Sequence, residues 1–253
     1  MRLTFLGTGA AGGTPGRGRS RRRESSLLVE TTAGAVLLDA PAGVEGRFDL
    51  GRLRAVLVTH AHRDAVGGLA ALGRACARLG TGPVRLLASP EALSVVVPRL
   101  DPGSPLRPVA VEPGRARRAA GLRVRCAEVP HAREARFRTY AWRLAGGDAA
   151  LVYASDVAAL APPLAQLSRG VDLLVIDGAM WHRTLFSHLT IDRELPTLCG
   201  WPVGRILLTQ IGRSAPAHAA LARQVAALCP RAAPAWDGMR LELGSCSARG
   251  AVG

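Results

Sequence analysis

An α/β fold of two similar halves is predicted by three observations. Short apolar runs, such as residues 173–176 and 206–208, lack polar alternation, as strands buried on both faces require. Helical periods alternate with these runs. The strand–helix order before residue 99 recurs in outline after residue 121.

Taken in order, apolar runs place strands near residues 2–6, 26–31, 35–39 and 55–58. An Ala/Leu-rich helix is expected near 65–79, a strand near 84–88 and a helix near 90–98. Strands resume near 122–128, 138–144, 150–154, 172–176 and 205–208. Helices are expected near 190–199 and 215–228, and residues 239–243 close as a strand. The Pro-, Arg- and Gly-rich stretch 99–121 has the weakest pattern and is read as the junction between halves. Residues 1–253 are expected to form a single domain, since a 48% apolar fraction suffices for a substantial core.

The net charge of +14 is carried by arginine alone, for the chain contains no lysine and no asparagine. Two readings stand. A very GC-rich genome writes proteins in this way, and a selected basic surface does so too. Arg17–Arg23 is the best candidate for an anion-binding loop. The cysteines at 76, 126, 199, 229 and 246 are dispersed, with no C-x-x-C pair. They suggest a reducing cytosol rather than a disulfide framework. No apolar run reaches the ~18 residues of a membrane span. The first residues read as a strand, not a signal peptide. A cytoplasmic location is therefore expected, with no membrane partner.

Gly7-Thr8-Gly9-Ala10-Ala11-Gly12 spells G-x-G-x-x-G after a strand. A dinucleotide site needs a helix to start there. Gly13-Thr14-Pro15-Gly16 cannot start one, so a glycine loop beside a cleft is expected instead.

The chemistry concentrates in His60-Ala61-His62-Arg63-Asp64-Ala65, which follows the apolar strand 55–59. Two imidazoles and a carboxylate at alternate positions on a tight turn suit a metal ion. Val129-Pro130-His131, Tyr153-Ala154-Ser155-Asp156 and Leu207-Leu208-Thr209-Gln210 likewise end apolar runs. In this order the motifs resemble the metallo-β-lactamase superfamily, whose first motif is H-x-H-x-D-H. The resemblance covers nearly the whole chain and implies a four-layer αββα sandwich.

It also implies a ligand set. The first metal would take His60, His62, His131 and Asp156, all present. The second would take Asp64, Asp156 and the residues at 65 and 210, which are here Ala65 and Gln210. Both departures fall on the second site, so one divalent ion per chain is expected, zinc first, with manganese or iron as alternatives. Asp64, freed from ligation, would orient or deprotonate a water on that metal. Its other reading is an anchor for the turn's backbone amides. Asp177-Gly178-Ala179-Met180-Trp181 and Ser187-His188-Leu189-Thr190 resemble paired elements of the phosphodiesterase branch, which holds RNase Z, the phosphonate-pathway cyclic phosphodiesterase and the pyrroloquinoline-quinone biosynthesis protein B. The resemblance makes Asp177 and His188 a proton-handling pair. A bland reading is helix capping by Thr190. His182 and His218 look exposed and carry no assigned role.

The expected function is hydrolysis of a phosphodiester, small or nucleotidyl, by a hydroxide on the single metal. Asp64, His188 and Asp177 are the catalytic residues of this reading, and Arg21, Arg22, Arg23 and Arg213 the substrate-binding ones. The alternative is a catalytically degenerate ligand- or metal-binding protein in cofactor biosynthesis. A small anionic substrate is the expected partner. Nucleic acid is allowed but not favoured, because no tRNA-gripping insertion is visible, and a homodimer is allowed.

Overall fold

Among the residues described by the computed structural model, 1–131 and 137–244, strands pair into two sheets of seven. The first sheet contains β1 (Arg2–Gly7), β2 (Ser26–Thr31), β3 (Gly34–Leu38), β4 (Leu53–Leu57), β5 (Val84–Ala88) and β6 (Leu106–Ala110) in sequential order. The second contains β7 (Arg117–Ala119), β8 (Leu122–Val129), β9 (Thr139–Gly146), β10 (Ala149–Ala154), β11 (Leu173–Asp177), β12 (Arg205–Thr209) and β13 (Ala232–Pro234), again sequentially. The last strand, β14 (Arg240–Glu242), returns to pair with β1. Each half starts as an antiparallel meander and continues in parallel. The switch comes at β3–β4 in the first half and at β10–β11 in the second. This is the twofold likeness read from the sequence.

Three apolar layers separate four layers of structure. Leu3, Phe5, Leu27 and Leu57 of the first sheet meet Val124, Trp142, Tyr153 and Leu207 of the second. The alternate residues Leu28, Leu37, Val56 and Leu86 face α2 (Leu69–Arg78) and α3 (Pro90–Val96), which follow the short helix α1 (Arg63–Val66). Val152, Leu174, Ile176 and Leu208 face α4 (Pro162–Ser168), α5 (Ile191–Cys199) and α6 (His218–Leu228). Both faces of the central strands are thus buried, which explains their unbroken apolar runs. Each such leucine stabilises the fold by roughly 1.5–3 kcal/mol. The αββα sandwich is the architecture expected.

The second sheet also holds the turn that follows β4. Trp142 Nε1 donates to the Val58 carbonyl at 3.0 Å, and the Tyr140 amide donates to the Thr59 carbonyl at 2.8 Å. These bonds set the backbone that carries His60.

Four elements escape the periodicity. Stretch 99–121 joins the halves as expected, yet it also forms β6 and β7, one of the two edge strands of each sheet. An edge strand tolerates Pro108 and exposed arginine, so it carries little apolar signal. The helix α4 opens on Pro162-Pro163 and β13 has three residues, both too short for a period.

The reading of the cysteines needs correction. Cys199 and Cys229 form a disulfide with Cα atoms 5.6 Å apart. They lie 30 residues apart in sequence, and only the packing of α5 against α6 brings their C-terminal ends together. Cys76 and Cys126 are free and buried, and Cys246 lies outside the described residues. No helix among those residues is long and apolar enough to cross a membrane.

Candidate metal centre

The strands β4, β8, β10, β11 and β12 deliver their C-terminal ends to one cleft. His60 follows β4 and is buried, and His62 stands at the N-terminus of α1. His131 follows β8, and Asp156 follows β10. The imidazole centroids of His60, His62 and His131 form a triangle with sides of 4.7, 5.1 and 5.3 Å. Their ligating nitrogens lie within 4.8 Å of one another. His131 Nε2 is 3.4 Å from His62 Nδ1 and 3.9 Å from Asp156 Oδ1, and His60 Nε2 is 3.9 Å from the same oxygen. Zinc with bonds of about 2.0–2.1 Å has tetrahedral edges of roughly 3.3 Å, so small side-chain adjustments close this cage.

Two hydrogen-bond chains turn the right nitrogens inward. Asp39 lies just past β3 in a left-handed conformation (φ +58°), and its carboxylate accepts from the Thr59 amide at 2.8 Å and the Thr59 hydroxyl at 2.9 Å. With its one hydrogen committed, the hydroxyl accepts from His60 Nδ1–H at 2.9 Å. His60 Nε2 is then an unprotonated lone pair, buried and without a partner among the described residues. Leaving such an atom unpaired costs about 1–3 kcal/mol, which a cation would offset. His131 Nδ1 donates to the Ser187 carbonyl at 2.7 Å, and this aims its Nε2 into the cleft. Burial, reinforced by the neighbouring imidazoles and opposed by Asp64, pushes both His60 and His62 below the usual histidine range. Neutral imidazole is the form that binds metal. The donor set therefore fits a divalent ion. Asp39 and Thr59 were not foreseen, because neither belongs to a ligand motif.

Gln210 stands where the resemblance expected a histidine. Its backbone is left-handed (φ +55°), and its amide N–H donates to Ser25 Oγ at 2.8 Å. Its side-chain Nε2 donates to Asp64 Oδ2 at 2.8 Å and Asp156 Oδ1 at 3.0 Å. The carboxylate of Asp64 is held by this amide rather than by the turn's backbone. Ala65 is buried in the apolar layer under the first sheet and offers no donor.

Asp177 ends β11, fully buried. Its carboxylate accepts from the Val157 and Ala179 amides and from His188 Nδ1, the last at 2.7 Å. Burial opposes charge on His188, but Asp177 and its hydrogen bond, with Asp156 and Asp64, push its pKa up to about 9. The rings of His188 and His131 stack edge to face at 5.2 Å. His188, His131 and Asp156 form a second triple within the same 4.8 Å limit. Thr190 caps nothing with its side chain, which donates to the Arg183 carbonyl. Helix capping thus does not account for the His188 turn.

The arginine assignment needs correction. Arg22 is buried, and its guanidinium donates to Thr8 Oγ1, the Ala235 carbonyl and His218 Nδ1. His218 is accordingly half-buried, while His182 is exposed and pairs with Asp192 at 2.7 Å. Arg23 lies 3.9 Å from Asp237, and Arg213 binds the carbonyls of Gly12 and Gly13. Neither these residues nor Arg21 lines the cleft, a cavity of about 520 Å³. They build the glycine loop whose Ala10, Ala11 and Gly12 form one wall. A Cβ at Gly7 would sit 2.0 Å from the Glu24 carbonyl oxygen, so the loop's first glycine serves close backbone approach. The arginine that does line the cleft is Arg63, within the His60–Asp64 motif itself, where it joins the protonated His188.

This geometry defines a class. A family model for the beta-lactamase superfamily domain matches residues 28–226. The chain belongs to that superfamily of metallo-β-lactamase-fold hydrolases.

Solved structures agree on the fold. Zn(2+)-bound PqqB from Methylobacterium extorquens superposes with a TM-score of 0.78 at 20% identity, over 96% of this chain and 100% of that one. A diphosphatase from the PhnP family gives 0.81 at 23% identity over 97% and 98%. The short form of human tRNase Z gives 0.70 at 17% over 97% and 100%. An octanoyltransferase from Porphyromonas gingivalis is 26% identical over 242 residues, 86% of this chain. The chain spans about half the length of that curated relative, 47%.

Proposed function

We propose that this chain hydrolyses a phosphodiester, small or nucleotidyl, with one divalent ion held by His60, His62, His131 and Asp156. The observation that carries the reading is the Asp177–His188 pair, bonded at 2.7 Å and set beside the three-histidine triangle. A nucleophile-generating centre and a proton donor then face the same small volume. The fold shared with a PhnP-family diphosphatase and with tRNase Z supports a phosphorus substrate.

Bound there, zinc or a similar ion supplies a Lewis acid and lowers the pKa of water toward ~7. The chain's own residues do the rest. Asp64, with Oδ2 held by Gln210, takes the proton of the attacking water. As the water oxygen bonds to phosphorus, the opposite P–O bond breaks. His188, kept protonated by Asp177, gives its proton to the departing alkoxide, a contribution of roughly 10²–10⁴-fold. Arg63 on the cleft wall draws in the anion.

The test is hydrolysis of bis(p-nitrophenyl) phosphate by chelator-stripped protein supplied in turn with Zn²⁺, Mn²⁺, Fe²⁺ and Co²⁺. Metal-dependent release of nitrophenol is expected, with no β-lactam turnover. No hydrolysis with any metal would replace this reading with the degenerate binder. The amide of Gln210 lying across Asp64 and Asp156 is the observation that favours that second reading.

A further inference from the structure

A second cavity, of about 850 Å³, opens on the outer face of the second sheet beside α4, and none of its lining residues lines the metal cleft. Arg123 and Arg125 reach it from β8, Arg143 from β9 and Arg169 from the end of α4. Among the described residues its one acidic lining residue is Glu128, and Leu167 contributes to an apolar floor.

The arrangement opposes its own stability. Arg125 and Arg143 are direct cross-strand partners, and so are Arg118 and Arg123 on the neighbouring pair. Side chains so placed share a face about 4.5–5.5 Å apart, and like charges there are destabilising. Acidic residues do not neutralise them: among the described residues, Arg123 and Arg125 make no ion pair or side-chain hydrogen bond. Arg143 spends only Nη1, on the carbonyls of Leu167 and Arg169 at 2.7 and 2.9 Å. Its Nε and Nη2 make no hydrogen bond among the described residues. Burial, then Arg125, lowers the pKa of this guanidinium, and Asp172 offsets that only in part.

We propose that this cavity binds a small polyanion carrying at least two phosphate groups. Guanidinium forks pair bidentately with phosphate oxygens, and four of them from three elements exceed what a single monoanion neutralises. The volume of this open cavity falls in the range of small-ligand sites, roughly 300–1,000 Å³. A bound diphosphate would bridge Arg125 and Arg143 and lock α4 against β8. The site is independent of the hydrolytic reading, because it uses no residue of the metal centre.

Pyrophosphate is the probe, titrated calorimetrically into the whole metal-loaded chain at low salt. Wild type should show binding that is not displaced by bis(p-nitrophenyl) phosphate and that weakens as NaCl rises. The variant Arg123→Ala/Arg125→Ala should bind at least tenfold more weakly. Its melting temperature without pyrophosphate should equal or exceed that of wild type, because a repulsive pair is gone, and pyrophosphate should no longer raise it. Arg169→Ala, which leaves the sheet untouched, should weaken binding in the same direction. Equal affinity in wild type and both variants, or binding fully displaced by the diester, would overturn the proposal. So would absence of binding to wild type.

Discussion

Gln210 Nε2 stands 2.8 Å from Asp64 Oδ2, and the same nitrogen reaches Asp156 Oδ1 at 3.0 Å. A neutral amide thus spans two carboxylates that a second cation would otherwise bridge. Its two N–H groups satisfy one oxygen of each acid without adding charge. The left-handed backbone of Gln210 is held by Ser25, so the amide is aimed rather than free to swing away.

One metal equivalent per chain is the first expectation. Elemental analysis after exhaustive dialysis should find about one, and the Ala65→His/Gln210→His variant about two. Overpacking at position 65 costs roughly 1–3 kcal/mol, so the single variant Gln210→His is the control for folding. Two equivalents in the wild type would sink the single-ion reading.

Gln210→Leu should destabilise the metal-free protein. It strips hydrogen bonds from two buried carboxylates, a loss of about 2–4 kcal/mol. Urea unfolding with and without chelator measures this. A variant as stable as wild type would mean that Gln210 does not hold the acids.

His131→Ala and His188→Ala should separate. The first removes a ligand and most of the bound metal. The second should keep its metal and slow diester hydrolysis by roughly 10²–10⁴-fold. Equal metal loss would place His188 among the ligands, in the triple it forms with His131 and Asp156.

Arg22→Ala should act on stability and Arg63→Ala on substrate. Losing the buried Arg22 guanidinium leaves Thr8, Ala235 and His218 without their donor, at about 2–3 kcal/mol. Arg63→Ala should raise KM more than it lowers kcat, since it meets charge present in both ground and transition states. Arg21→Ala should change neither. A KM effect at Arg21 equal to that at Arg63 would restore the arginine loop to the substrate.

Reduction of Cys199–Cys229 should lower stability by roughly 2–4 kcal/mol, as expected for a closed loop of this length. Guanidinium unfolding with and without reductant gives the value. Unchanged midpoints would show that the bridge contributes nothing.

The sequence by itself determined the layers and the ends of strands. Unbroken apolar runs have one stable use in such a fold, burial on both faces, and the residue after each run emerges at the same rim. His60, His62, His131, Asp156 and Asp177 were legible for that reason, and the structure does bring them together. Tertiary structure decided the partners. Gln210 bonds to Asp64 across 146 residues, and Arg22 to His218 across 196. Asp39 reaches Thr59 across 20, and nothing in its own strand marks it as the support of a metal ligand. Local patterns report how much of a side chain is buried. Which donor meets which acceptor depends on chain segments that only the folded sheets set side by side, so the arginine loop was misread and the disulfide was missed.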